Sequence, residues 1–357
     1  MSKKLKIVAI SCAAVAATAI LGLGSLFYGE IRTLSSFKQL NEHPFYEMTY
    51  YADYDLDKFL ENGASTDDEL VSFVTKQVLK GIPFEVNPDG ACSTFTAATP
   101  DGDDIFGRNF DYVPSIGLIV RTAPKNGYES ISVVNLNHLG LSKDNMPDKN
   151  IINKVTTLAA PYAPLDGINE KGLAIGVLVI KDGIVHQNTG KVPITTTTAI
   201  RMILDKAATV DEAVELLKNY DMNSSGETGY HFQIADADGN TVIVEYINNE
   251  MQVMTKEEGY TAATNFVLYN DMNLGNGQDR YEKIKEKQAE TNNIMSEEEA
   301  MDLLLDIPSQ GIREVEGSEE GIPSDTQWSA VYNLDKLTLQ ICTGKDKNRT
   351  YNYSIKK

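Results

Sequence analysis

The period of the hydrophobic positions changes several times along the chain, and each change predicts an element. After Lys3, Lys4 and Lys6 an uncharged stretch occupies 7–28. At about 1.5 Å per residue a helix of that length crosses a hydrocarbon core of about 30 Å, so a membrane segment is expected there. Next, Thr66-Asp67-Asp68-Glu69 reads as a capping box, and Leu70, Phe73, Val74, Val78 and Leu79 share one face of the helix that follows, ending near Gly81. The β-favouring run 92–98 is closed by the turn cluster Pro100-Asp101-Gly102-Asp103-Asp104 and answered by a partner strand at 105–111. Further strands are expected at 118–123, 131–136, 173–180 and 337–342, with a hairpin at 232–246 turning about Asp236-Ala237-Asp238-Gly239. Two helices intervene, one at about 197–207 and one opened by Thr209-Val210-Asp211-Glu212; another follows Ser296-Glu297-Glu298-Glu299 through Leu305. Strand blocks flanking helix pairs predict an α+β fold rather than parallel βαβ winding, and no internal repeat is visible.

Composition narrows the class. With 42% hydrophobic and 23% charged residues the chain can bury a core, and its length after residue 92 suits one large domain. A net charge of −19 argues against nucleic acid, and against an anionic lipid surface, as the partner of the folded part. The lysines ahead of the apolar stretch place that end in the cytoplasm and the remainder outside, membrane-anchored or secreted. Secretory h-regions usually run roughly 7–15 residues, so a retained anchor is favoured over a cleaved signal peptide. Cys12 lies early in the stretch and is read as a membrane-segment residue. Cys12, Cys92 and Cys342 make no disulfide framework, and no CxxC pair or histidine cluster suggests a metal, so no cofactor is expected.

The densest chemistry lies in the 92–111 hairpin. It should place Arg108 and Asp111 near the start of the first strand, beside Cys92. A neighbouring cation favours the thiolate and lowers a cysteine pKa from roughly 8.5. Arg108 supplies that cation, and Asp111 is placed to orient a base. The same residues also read as a buried structural cysteine beside a surface ion pair, and spacing alone leaves both open.

The segments around these residues carry a family likeness. Asp89-Gly90-Ala91-Cys92-Ser93-Thr94-Phe95, with Gly107-Arg108-Asn109-Phe110-Asp111, resembles the N-terminal nucleophile hydrolases of the choloylglycine hydrolase, penicillin V acylase and acid ceramidase group. Asp166-Gly167-Ile168-Asn169-Glu170-Lys171-Gly172-Leu173 resembles the group's asparagine loop, and Thr264-Asn265-Phe266 its second asparagine motif. Asp279-Arg280-Tyr281 resembles the later arginine of the ceramidase-like branch, and Gln327-Trp328-Ser329-Ala330-Val331-Tyr332 the closing strand. The segments keep the family's order over most of the chain after residue 92.

The resemblance implies a four-layer αββα sandwich in which Cys92 opens a central strand, with Cys92, Arg108, Asp111, Asn169, Asn265 and Arg280 as the catalytic set. It implies hydrolysis of a linear carbon–nitrogen bond in a small N-acyl amide carrying a fatty, aryl or bile-acid group. Cys92 must then become the first residue of its chain, so that its α-amine, with a pKa of roughly 7.7–8.0, is the general base for its own thiol. Asn169 and Asn265 are the implied oxyanion donors. Read without the family, Asn169 is a turn residue, Asn265 a strand-end cap, and Arg280 a helix-start residue paired with Asp279 or Glu282. His43, His138, His186 and His231 lie outside the motifs, and a Cys–His dyad through His138 or His231 is the alternative. The expected organisation is a signal anchor or signal peptide at 1–29, a helical pro-region at 30–91 that stays docked after autocatalytic cleavage, and a catalytic domain at 92–357. The Asn87-Pro88-Asp89-Gly90 turn would present the scissile bond. An acyltransferase, in which an amine replaces water, is the second enzymatic reading; a silent binding protein of the same fold is the contrasting one.

Overall fold

The computed structural model describes residues 27–82, 90–180, 183–313 and 321–356. The expected membrane segment therefore lies outside the described residues except for its last two positions, as does the expected turn before Cys92 up to Asp89. Among the described residues no helix is long and apolar enough to cross a membrane.

The described chain opens with a helix, Tyr28–Ser36, then β1 (Lys38–Asn41) and β2 (Phe45–Tyr50), then helices Leu56–Asn62 and Asp67–Gln77. Thr66 caps the last of these as expected. Its hydroxyl accepts the Glu69 N–H at 3.2 Å, and the Glu69 carboxylate reaches back to the Ser65 N–H at 2.7 Å. A strand block comes next: β3 (Ala91–Ala98), β4 (Asp104–Tyr112), β5 (Gly117–Thr122), β6 (Ser130–Asn135), β7 (Pro164–Asn169) and β8 (Ala174–Ile180). After β9 (Val192–Thr195) come helices Thr196–Lys206 and Val210–Lys218, then β10 (Tyr220–Asn223), β11 (Gly229–Ala235), β12 (Thr241–Ile247) and β13 (Glu250–Thr255). Short β14 (Ala262–Ala263), β15 (Asn265–Phe266) and β16 (Gly275–Asn276) lead into helices Gln278–Glu290 and Glu297–Asp306. The chain ends with β17 (Gly311–Arg313), β18 (Ile322–Asn333), β19 (Thr338–Thr343) and β20 (Thr350–Ser354).

Two large sheets carry this mixed α+β fold. One orders its strands β1-β2-β5-β6-β7-β8-β11-β12-β13; the other runs β14-β3-β4-β18-β19-β20, with β17 paired to β18. Side chains of a strand alternate between faces, and here the alternation sorts them into layers. On β3, Phe95 and Ala97 pack with Ile284, Met301 and Leu304 beneath the last two helices, whereas Cys92 joins the cluster shared with the other sheet. On β7, Asp166 reaches Arg108 of β4, whereas a Cβ on Gly167 would meet Leu204 of the Thr196–Lys206 helix at 3.0 Å. Close approach of the sheets depends on Gly176 of β8, where a Cβ would stand 3.2 Å from both Phe106 and Thr94. Asn109 Nδ2 donates to the Leu304 carbonyl at 2.7 Å and Gln288 Nε2 to the Thr96 carbonyl at 2.9 Å, fixing the outer helices to the second sheet. The contacts thus run helix, sheet, sheet, helix.

Most of the expected strands and capped helices are present within a residue or two, β11 opening three residues before the expected hairpin and the Asp67–Gln77 helix ending four short of Gly81, but the segment before Cys92 differs from a purely helical pro-region. It contributes β1 and β2 to the first sheet, β2 running parallel to β5 from the Phe45–Gly117 pair to the Tyr50–Thr122 pair. Tyr46, Met48 and Tyr50 alternate there with Glu47 and Thr49, but strands of only four and six residues carry too short a pattern to stand out.

Candidate active site

The β3–β4 hairpin assembles the first half of the site. Cys92 pairs with Phe110 and Thr94 with Arg108, so Cys92 and Arg108 are diagonal neighbours on one face, and both are buried. The guanidinium is near enough to the Cys92 thiol to favour its charged form. Its Nε donates to Asp166 Oδ2 at 3.2 Å, and the Tyr332 hydroxyl donates to the other oxygen of that carboxylate. Arg108 was expected to lower the thiol pKa. Burial is the stronger influence and pushes the thiol above its ordinary value, with Arg108 pulling against it. In the uncut chain, where the Cys92 nitrogen is an amide, the thiol therefore keeps its proton at neutral pH and needs a base to become nucleophilic.

Arg280 gathers the second half. From the first turn of the Gln278–Glu290 helix its Nη1 donates to the Cys92 carbonyl and to Ser93 Oγ, each at 2.7 Å, and its Nη2 donates to Asn265 Oδ1 at 2.9 Å. Nη1 also stands 3.5 Å from Asp111 Oδ2. Gly277 makes this approach possible: its φ is +97°, and a Cβ there would sit 2.5 Å from Arg280 Nη2. Arg280 is buried within this network rather than paired in solvent with Asp279 or Glu282. The Asn265 Oδ1 also accepts the Cys92 N–H at 2.7 Å, and Nδ2 donates to the Val179 carbonyl at 2.7 Å. A carboxamide nitrogen carries two hydrogens, so one remains. Asp111 accepts the Thr326 hydroxyl on Oδ1. Burial pushes the Asp111 carboxyl up, opposed by Arg280 and Thr326.

Asn169, expected as an oxyanion donor, is not brought into this cluster. At the end of β7 its Nδ2 donates to the Leu204 carbonyl at 3.1 Å and the Ala207 carbonyl at 2.7 Å. Its Oδ1 accepts the Lys171 N–H at 3.0 Å and the Leu173 N–H at 3.2 Å. The carboxamide is fully used in shaping the β7–β8 turn and tying it to a helix end. From Leu173 the chain runs the length of β8, about 20 Å at the strand rise, before the Val179 carbonyl meets Asn265.

The histidine alternative fares differently at its two positions. His231 has Nδ1 at 2.9 Å from Glu245 Oε1 and Nε2 at 2.7 Å from the Thr264 carbonyl, so neither nitrogen is open to Cys92. His138 stands edge-on to Phe110 and Tyr112, with ring centroids 6.2 and 5.9 Å apart. Among the described residues no three His, Cys, Asp or Glu side chains converge on a possible metal position. Sequence reasoning missed Asp166, Tyr332, Thr326 and Val179. The first three stand in or beside the quoted motifs, which is the only signal they carry; Val179 acts through its carbonyl and has none.

Comparison with known proteins places this geometry in context. Residues 92–327 match the family described as linear amide C–N hydrolases, choloylglycine hydrolase family, and the match begins at Cys92 itself. A bile salt hydrolase/transferase of Clostridium perfringens is 25% identical over 178 residues, covering 47% of this chain and 52% of that protein. A penicillin V acylase of Pectobacterium atrosepticum is 33% identical over 111 residues, covering 28% and 29% of the two chains. The chain thus spans about half, or less, of the length of these relatives. Among solved structures, a mutant of the conjugated bile acid hydrolase from Clostridium perfringens superposes with a TM-score of 0.54 at 17% identity, over 74% of this chain and 92% of that one. Penicillin V acylase from Agrobacterium tumefaciens gives 0.50 at 16% identity, over 74% and 87%. At such identities the structural likeness establishes the fold alone.

Proposed function

We propose that this chain, which belongs to the choloylglycine hydrolase family of linear amide C–N hydrolases, is an amidase that cleaves small N-acyl amides through a thioester on Cys92. The observation that carries the reading is the convergence of Cys92, Arg108, Asp111, Asn265 and Arg280 on the start of one strand, at the residue where the family match begins.

Hydrolysis of the Ala91–Cys92 peptide bond, in which water supplies the oxygen of a new Ala91 carboxylate and a proton to nitrogen, frees the α-amine of Cys92. In the proposed cycle that amine takes the thiol proton, and the thiolate attacks the substrate carbonyl carbon. The remaining Asn265 Nδ2 hydrogen stabilises the developing oxyanion. Collapse breaks the carbon–nitrogen bond, and the departing amine receives the proton held on the α-amine. Water then attacks the thioester, passing a proton back to the α-amine, and the acid leaves as the thiol re-forms. Arg280 fixes Asn265 and the Cys92 carbonyl, Arg108 favours the thiolate, and Asp111 anchors Arg280.

The acyl group is proposed to be fatty, aryl or bile-acid in kind. An acyltransferase reading holds if an amine intercepts the thioester, and the relative named bile salt hydrolase/transferase favours keeping it in view. The lysine-flanked stretch at 7–28 supports an exported site held at a membrane; the full chain should sediment with membranes and lose that property when residues 1–26 are removed. The function itself is tested by incubating the protein with N-acyl amides of the three kinds and trapping the acid-quenched intermediate for mass analysis. Free acid together with an acyl adduct on Cys92, both absent in Cys92→Ala, is the expected result; no turnover across the panel would favour a silent binding protein.

A further inference from the structure

His231 on β11 and Glu245 on β12 are buried, and the proposed reaction gives them no role. They are cross-strand neighbours, one step beyond the Phe232–Val244 pair. The partners of the His231 ring are a carboxylate and a carbonyl, at 2.9 and 2.7 Å. Both only accept, so both ring nitrogens carry hydrogen. Glu245 uses its remaining capacity on main chain: Oε1 accepts the Leu268 N–H at 2.9 Å and Oε2 the Tyr269 N–H at 3.0 Å.

These contacts grip the backbone on both sides of Asn265. Thr264 precedes it, Leu268 and Tyr269 come after it, and none of the contacts uses a side chain of that loop. Asn265 is in turn the side chain that accepts the Cys92 N–H and Arg280 Nη2. A buried charged pair is costly compared with apolar packing, and on its own face of the sheet it stands beside the buried Leu178, Ile243 and Gln233. What the pair supplies, and apolar side chains cannot, is hydrogen bonds to the loop that carries Asn265.

We infer that His231 and Glu245 act as one unit of positioning residues, holding the 264–269 loop so that Asn265 stays in register with Cys92. This rests on the reading of Cys92 as the nucleophile. Misplacing a reacting group by about 1 Å can cost about a hundredfold in rate, so the effect should fall on turnover rather than on substrate affinity.

The test uses the full chain with Glu245→Gln and, separately, His231→Gln. Glutamine at 245 keeps one oxygen for a backbone N–H and loses the two-oxygen bridge; glutamine at 231 loses the link between Glu245 and Thr264. Thermal melting first shows that each variant is folded. Hydrogen exchange at the Leu268 and Tyr269 amides, and kcat and KM per Cys92 titrated with iodoacetamide, are then compared with the unaltered protein. Expected are exchange at those amides at least about tenfold faster, kcat at least about tenfold lower, and KM within about threefold. Unchanged exchange in folded variants overturns the inference, and so does unchanged kcat despite faster exchange. Should neither variant fold, the unaltered protein labelled with ¹⁵N-histidine decides: two protected ring N–H groups on His231 support the pair, and a single one contradicts it. If the unaltered protein turns over no N-acyl amide, the amidase reading fails on its own, and the exchange data still decide whether the pair holds the loop.

Discussion

Burial holds the Asp111 carboxyl above its ordinary range, against the pull of Arg280 and Thr326. The folded chain therefore binds that proton more tightly than the unfolded chain. The contribution to stability is full below the unfolded pKa of about 3.9 and is lost as pH rises through the higher folded value. Asp111→Asn removes this titration while keeping an acceptor for Thr326. Its melting temperature at pH 7 should equal or exceed that of the unaltered protein, while turnover falls by about a hundredfold or more as Arg280 loses its anchor. A lower melting temperature with normal turnover would show the carboxylate to be structural. Asn169→Ala should do the reverse. It strips hydrogen bonds from the Leu204 and Ala207 carbonyls and the Lys171 and Leu173 amides, and each buried group left unsatisfied costs about 1–3 kcal/mol. The melting temperature should drop while kcat per folded molecule stays within about twofold; a large kcat loss in a stably folded variant would return Asn169 to the chemistry. At this scale the sequence spoke most clearly where partners are close along the chain. Cys92, Arg108 and Asp111 share one hairpin, and its register is set by the turn between them. An asparagine that shapes a turn and one that meets Cys92 look alike in a sequence, so Asn169 and Asn265 were separated only by where β8 carries the chain. The Asp166–Tyr332 contact joins residues from distant segments and left no local trace.

The strands and helices preceding Cys92 determine whether the two pieces of a cut chain stay together. Strand β2 lies inside the first sheet, and Phe45, Tyr46, Met48, Tyr50, Phe59 and Leu70 are buried against the rest of the protein. At roughly 2 kcal/mol for each large apolar side chain, their burial is on the order of 10 kcal/mol, before the hydrogen bonds of the β2–β5 ladder are added. Holding two separate chains together costs an estimated 4–15 kcal/mol, a cost of the same order, and with the ladder hydrogen bonds added the cut N-terminal segment should remain bound. Polar contacts reinforce it: the Tyr54 hydroxyl donates to Asp205 Oδ2 at 2.7 Å, and the Tyr162 hydroxyl donates to the Tyr54 carbonyl at 2.5 Å. Cut protein should therefore elute from a sizing column as one species and separate into two chains only in denaturant; spontaneous separation in buffer would contradict this. The Asp67–Gln77 helix of this segment was legible because its capping box and apolar stripe are local signals. The two strands were not, because strands of four and six residues carry too short a pattern of their own and are fixed by their neighbours in the sheet.

Over the whole molecule, the order of strand and helix blocks was enough to predict an α+β layering, while the pairing of two sheets face to face came from the family likeness rather than from any periodicity. The physical reason is that Gly176, Asp166 and Arg108 meet across the layers from segments far apart in the chain. The proposed mechanism makes one demand that the whole chain must satisfy, namely that Cys92 begins a polypeptide in the active protein. Intact mass and N-terminal sequencing of the purified protein, before and after exposure to a thiol-reactive probe, test it most directly. The mechanism predicts a fragment that starts at Cys92 and takes up one probe on that residue. An uncut chain that turns over N-acyl amides, or a cut chain whose Cys92 stays unlabelled, would contradict it.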